Sequence, residues 1–289
     1  CSNCGALFMQ WKMLLAYHDA KYADLYEETL YNAILGDFDL SGKNFTYTNA
    51  LDTNQGRYAW HDCPCCVGNF PRTLLMLPTW MYAKGDDGLY VNLFVGSTVK
   101  IHKIAGTDVE MVQETNYPWS GSVKLTVNPA TTATFELRVR VPDRSVSAIY
   151  SDTPEANGMT SLAVNGVAMT PVIENGYAVV RREWKAGDQV ELELPMQPHR
   201  VKAIDAVEAD RGRVAIKMGP LVYNIESVDQ NVNNVLASDS PLRAVFKPDL
   251  LGGVVAVQGS YADGSPLLAI PNYVRENRGG RSLVWIRDR

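Results

Sequence analysis

The sequence predicts an α+β, multidomain chain: a helical stretch over residues 1–84, a first β-sandwich over 85–200 and a second over 201–289. Three observations predict it. Apolar residues recur at helical spacing through the first 84 residues. Beyond "KGDDG" (Lys84 to Gly88) the texture changes to short alternating runs separated by turn signals. The 289 residues, 46% of them hydrophobic, are also enough to bury two or three separate cores.

The elements follow in order. "CSNCGALFMQWKMLL" enters a helical pattern at once, with Leu7, Trp11, Leu14 and Leu15 on one face. Tyr22, Leu25, Tyr26, Leu30 and Ile34 make a second stripe, and Gly36 is the expected C-cap. "DFDLSGKNFTYTNALDTNQGRYAWHD" reads as a long, turn-rich connection. A third helix is expected from Asn69, with Pro71 in its first turn, through Leu74, Leu75 and Leu77 to about Ala83; Pro78 should bend or shorten it. Three helices with such long loops are too few to bury their stripes on each other. They read as the end of a larger α-domain that begins before Cys1. Then come "LYVNLFV", "STVKIHKI", "GSVKLTVN", "TATFELRVRV", "YAVVRREW" and "QVELELPM", with tight hairpin turns expected at Asn165-Gly166 and Asn175-Gly176. "GRVAIKMGPLVYNIE" opens the second β unit near Gly212.

Composition narrows the partners. A net charge of −5 with 20% charged residues offers no basic stripe for nucleic acid. No run approaches the roughly 18 apolar residues of a membrane span. Six Trp and fourteen Tyr are core fillers first, and stacking surfaces for sugars or other flat ligands second. No phosphate-binding glycine loop is present. "NFT" at Asn44 matches a glycosylation sequon.

The chemistry concentrates in the cysteines. All five, Cys1, Cys4, Cys63, Cys65 and Cys66, lie within the first 66 residues. A disulfide between the adjacent Cys65 and Cys66 would close a strained ring, and a disulfide scaffold would spread its cysteines along the chain. Clustering points to metal binding or thiol chemistry. Thiolates are soft ligands that select zinc. Cys65 and Cys66 are expected in a turn just before a helix, whose N-terminus favours thiolate, with Cys1 or Cys4 approaching from the first helix. The competing readings are a Cys63-x-x-Cys66 redox pair and inert buried cysteines. His61, beside Asp62, is either a further ligand or a hydrogen-bonding neighbour. His18, His102 and His199 are isolated.

Three blocks together carry a resemblance. "CSNCGALFMQWKML" resembles a segment E-T-C-A-x-x-G-x-x-x-x-x-x-R-M-L entered at its cysteine. "YADLYEETLYNAILGDFDLSGKNFTYTNAL" resembles a Y-A-D-x-x-E-x-x-L-Y-N stretch followed by a turn and an F-x-Y-x-N-P-L strand. "WHDCPCCVGNFPRTL" resembles W-F-x-C-x-C-C-P-P-N-x-A-R-x-L. Those three patterns are those of glycoside hydrolase family 127, the β-L-arabinofuranosidase-like family, whose C-terminal portion the chain resembles. The resemblance implies the last part of an (α/α)6 barrel followed by two β-sandwich domains. It implies Zn2+ held by Cys1, Cys65 and Cys66 with a glutamate just ahead of Cys1, Cys65 as nucleophile, Tyr47 beside it, and a general acid further upstream. Val67-Gly68 replaces the usual Pro-Pro, which alters the loop. The implied partners are an oligosaccharide substrate and an upstream barrel half, in the same gene product or a separate chain. The alternatives are a non-enzymatic carbohydrate-binding or scaffold protein with a structural zinc, and a thiol redox protein.

Overall fold

In a computed structural model the residues described are 1–59, 64–86, 88–145, 147–151 and 154–288. Helix α1 spans Ser2–Tyr17. Leu7 and Leu14 are buried and Trp11 packs against the same core, but Leu15 faces solvent. Each residue turns the helix by about 100°, and position 15 falls past the edge of the stripe. At the C-terminus His18 adopts φ 50°, and its N–H returns to the Leu14 carbonyl at 2.8 Å.

Helix α2 spans Lys21–Thr29 and continues as a single π turn, Leu30–Ile34, and a 3-10 turn, Leu35–Asp37. Tyr26, Leu30 and Ile34 are buried as the spacing requires; Leu25 is exposed, and Asp24 and Glu27 are buried with the stripe instead. The π turn coincides with Asn32, whose Nδ2 donates to the carbonyls of Glu28 (2.9 Å) and Pro220 (2.7 Å) while its Oδ1 accepts from the Val222 N–H at 2.8 Å. Gly36 is not the expected cap. It is buried inside the 3-10 turn, where a Cβ would stand 2.6 Å from Arg275 Nη1, so the position demands close approach rather than a left-handed backbone.

Helix α3 spans Pro64–Trp80. It begins five residues before the expected Asn69, so Cys65 and Cys66 occupy its first turn instead of preceding it. Pro64 suits that place because the first-turn N–H groups have no intrahelical acceptor. Both Pro71 and Pro78 lie inside the helix, which stops two residues after Pro78, short of Ala83. Leu74 and Leu77 pack on the core; Leu75 is 80% exposed.

The helices pack on each other and on a sheet. Cys4, Leu7, Tyr26 and Trp80 share one core with Leu89, Leu137 and Tyr177. That sheet has five strands in the order Val172–Glu174, Tyr177–Trp184, Ala133–Arg140, Gly88–Val91, Tyr82–Lys84. That sheet therefore begins at Tyr82, inside the span read as helical. A six-stranded antiparallel sheet contributes Val109, Val123, Leu125 and Val190 to the same core. Its strand Thr107–Thr115 buries alternate residues, the period-2 pattern of a half-covered sheet. Both expected Asn-Gly turns are present: Asn165 and Gly166 have φ 52° and 76°, Asn175 and Gly176 49° and 77°, each joining a paired hairpin.

Polar contacts clamp α2 to the five-stranded sheet. Arg140, fully buried, donates from Nη1 to Asp24 Oδ1 and from Nη2 to Glu27 Oε1, both at 2.5 Å, and from Nε to the Asn92 carbonyl at 2.6 Å. Glu27 also accepts from the Tyr117 hydroxyl at 3.0 Å. Burial alone would lower the Arg140 pKa, but Glu27 and Asp24 more than offset it and hold the guanidinium charged.

The remaining residues form an eleven-stranded sheet built around His199–Ala203, Arg213–Met218, Leu221–Glu226 and Pro266–Pro271. The short strand Asp52–Thr53, from the connection between α2 and α3, pairs with Ser282–Leu283 of this sheet. Among the described residues no helix is long and apolar enough to cross a membrane.

Candidate metal centre

Two helix N-termini meet at the cysteines. Cys1 is the N-cap of α1, and Cys65 and Cys66 lie in the first turn of α3. The Cys1 and Cys66 sulfurs are 3.4 Å apart and those of Cys65 and Cys66 3.8 Å apart. All three Sγ atoms fall within 4.8 Å of one another, the one such group of potential metal ligands among the described residues. Two helix N-termini favour thiolate over thiol. Three soft donors converging on one point fit zinc, which takes Cys sulfurs in tetrahedral sites. Cys4 is buried one turn along α1 and stays outside the triad. His61, Asp62 and Cys63 lie outside the described residues.

A cavity of about 380 Å³ opens beside the triad. Cys1 and Cys66 border it, with Phe38, Phe45, Tyr47 and Phe70 among its walls. The Phe38 and Phe70 rings meet edge to face at 4.9 Å. Cys65 is exposed and is not among the lining residues, whereas Cys66 is half-buried. Tyr47 is positioned by its backbone N–H, which donates to the Tyr58 hydroxyl at 3.1 Å. The strand pair Asn44–Phe45 with Tyr58–Ala59 holds that turn.

The loop carrying Tyr47 is pinned at several points. Asp39 accepts from Ser41 Oγ, the backbone N–H groups of Lys43 and Asn44, and Asn44 Nδ2. Although desolvation opposes it, those bonds hold the Asp39 carboxyl down at about 2. Arg57 donates to the carbonyls of Gly36 (2.9 Å) and Arg275 (3.0 Å); burial first, then the neighbouring Arg275, lowers its pKa to about 10. Asp37, on the cavity wall, is pushed up to about 6 by burial against the pull of Arg275.

Sequence reasoning missed Asn69. It lies one turn beyond Cys65 on α3, and its Nδ2 donates to Cys1 Sγ at 3.1 Å while its Oδ1 accepts from Arg72 Nη2 at 2.6 Å. The signal was its i, i+4 spacing from Cys65, visible once the helix is started at Pro64. The other histidines stay away from the thiols: His18 stacks on Tyr90, His102 bonds Asp108, and His199 approaches the Gln197 carbonyl.

Sequence profiles of one family match almost the whole chain. Residues 1–79 match the "Beta-L-arabinofuranosidase, GH127 catalytic domain", 88–196 the GH127 middle domain and 198–287 the "Glycoside hydrolase family 127 C-terminal domain". The chain is 31% identical over 287 residues to a non-reducing end β-L-arabinofuranosidase of Bifidobacterium longum subsp. longum, covering 89% of this chain and 40% of that protein. A GH127 β-L-arabinofuranosidase from Geobacillus stearothermophilus T6 superposes with a TM-score of 0.90 at 34% identity, covering 99% of this chain and 49% of that one. A second GH127 β-arabinofuranosidase of known structure superposes with a TM-score of 0.92 at 32% identity, covering 100% and 49%. The chain thus spans about two fifths to half the length of these relatives.

Proposed function

The chain belongs to glycoside hydrolase family 127, and we propose that it supplies part of a zinc-dependent retaining glycoside hydrolase acting on β-L-arabinofuranosides or a related plant-polysaccharide sugar. The observation that carries this reading is the convergence of the three sulfurs of Cys1, Cys65 and Cys66 beside a cavity. The three helices within residues 1–84 are the last helices of an (α/α)6 barrel, and the sheets that follow form two β-sandwich domains. Apolar side chains exposed on all three helices, Met9 and Tyr17 on α1, Leu25 on α2 and Leu75 on α3, support an upstream barrel half that covers them.

Cys1, Cys65 and Cys66 would hold the zinc, with a glutamate from the upstream part as fourth ligand. When bound, the ion keeps the thiols deprotonated and fixed in place, though coordination also lowers their nucleophilicity. Cys65, the first of the adjacent pair and exposed, is the nucleophile by likeness to the family. Its sulfur attacks the anomeric carbon as the glycosidic C–O bond breaks, and the leaving oxygen takes a proton from an upstream general acid. Water then attacks the same carbon, giving its proton to the acid group deprotonated in the first step, as the C–S bond breaks and the thiolate is restored; two inversions give retention. Tyr47 faces the sugar from the cavity wall, Asn69 orients Cys1, and Phe38, Phe45 and Phe70 exclude water from the reacting centre.

The test uses the full-length protein. Cys65→Ser should cut turnover of a small β-L-arabinofuranoside by several orders of magnitude while retaining part of the zinc. Cys66→Ser should act first on zinc content and lose activity as a consequence. A mechanism-based sugar electrophile should label Cys65 in the zinc-loaded wild type. Near-normal turnover by Cys65→Ser, or a label on Asp or Glu, makes the zinc structural and the thiolate mechanism wrong.

A further inference from the structure

Away from the thiols, two adjoining cavities of about 250 and 380 Å³ share Leu51, Tyr150 and Trp285 as a common wall. The Tyr150 and Trp285 rings lie 5.7 Å apart, inclined by 30°. Among the described residues no cysteine lines either cavity. One end is polar through Glu28, Arg144 and Lys217; the other through Asp52, Asp210 and Arg213. Lys217 Nζ meets Glu28 Oε1 at 3.0 Å, so charge at that end is already compensated. Arg144 is buried; its Nη1 stands 3.8 and 3.9 Å from the carboxylates of Glu27 and Glu28, and among the described residues neither Nη1 nor Nε makes a hydrogen bond. A small shift of its guanidinium would offer both N–H groups to a ligand hydroxyl.

We propose that this cleft is a second carbohydrate site, separate from the thiol triad, which holds a short neutral segment of a longer glycan. A sugar ring is amphipathic: its C–H face stacks on an aromatic ring while its hydroxyl rim needs donors and acceptors together. The cleft places both kinds of group in that order, an apolar aromatic centre between two mixed polar ends, the composition expected of a small-molecule site. Three carboxylates stand against three cations among the polar groups just named, so the cleft selects neither an anionic nor a cationic ligand. The choice of a glycan rests on the hydrolase reading above. The location of the site does not.

The experiment titrates the full-length protein calorimetrically with xylotetraose and cellotetraose, neutral probes that carry no arabinofuranose for the thiol site. Wild type should bind at least one of them. Tyr150→Ala should weaken binding about tenfold, as loss of one ring face implies, and Tyr150→Phe should keep it. Turnover of a small arabinofuranoside should be unchanged in both variants, while Tyr150→Ala should raise KM on a polymeric substrate. Absence of binding by wild type, equal binding by Tyr150→Ala, or tighter binding of tetragalacturonate than of the neutral probes overturns the proposal. Tyr150-dependent binding in a protein that turns over no arabinofuranoside leaves the site standing and removes the hydrolase reading instead.

Discussion

Replacing Arg140 by Met tests what joins the helices to the β structure. Arg140 is fully buried and donates to Asp24, Glu27 and the Asn92 carbonyl. Met fills much of the volume but leaves both carboxylates without their cation. Glu27 keeps the Tyr117 hydroxyl at 3.0 Å and Arg144 at 3.8 Å; among the described residues Asp24 keeps only the backbone N–H of Asp143 at 3.1 Å. The cost therefore falls mainly on Asp24, and removing one partner of a buried pair costs about 3–5 kcal/mol. Arg140→Met with Asp24→Asn should recover about 1–2 kcal/mol, because an amide leaves no uncompensated charge. Burial already raises Asp24 from 3.8 to about 6 with Arg140 pulling it down, so the single variant raises it further. A carboxyl whose folded pKa lies above its unfolded one loses stability as pH rises between the two values. The deficit of Arg140→Met should thus be greatest near neutral pH and shrink on acidification through pH 6. Hydrogen exchange of the full-length protein, read on α2 and on strand Ala133–Arg140, measures it locally. A cost below about 1 kcal/mol, or no relief from Asp24→Asn, would refute the argument that this network supports the junction.

Three further outcomes are expected. Asn69→Ala, which removes the donor to Cys1 Sγ, should weaken zinc binding about 10–100-fold in a competitive chelator titration, with little change in secondary structure. Asp37→Asn should flatten the dependence of thermal stability on pH: burial raises its pKa from 3.8 to about 6, so its contribution is lost as pH climbs through that window, and the amide should be more stable at pH 7. Gly121→Ala would place a Cβ 1.9 Å from the Leu194 carbonyl oxygen, and urea unfolding should show a loss of at least about 1–3 kcal/mol.

Most of the β structure was legible because alternation and Asn-Gly turns are local signals: "YAVVRREW" coincides with the strand Tyr177–Trp184, and both hairpin turns lie where the dipeptides place them. The helices were legible in existence but not in detail. Leu25 fits a stripe as well as Tyr26 does, yet Asp24 and Glu27 are buried, because the deciding partner, Arg140, lies more than a hundred residues away. Gly36 looks like a cap from its neighbours and is instead a contact point for Arg275. The start of α3 was missed because proline was read as a late first-turn residue at Pro71 when Pro64 already filled that role. In the candidate site the cysteines announced themselves by clustering, whereas Asn69, Asp37 and the phenylalanine walls carry no residue-type signal without the fold.

The loop bearing Tyr47 is held by local bonds and, at three points, by residues far later in the chain. Its Leu40 N–H, Asp52 and Arg57 bond to Asn277, Arg281 and Arg275, at separations of 237, 229 and 218 residues. On a ribosome adding about 5–20 residues per second, such a loop waits on the order of 10–50 s for its fastenings to be synthesised. During that interval the thiols of the nascent chain have no finished cavity wall. Capture of metal ahead of the wall, or shelter of the thiols by a chaperone, becomes a question of timing during biosynthesis rather than of affinity in the folded protein.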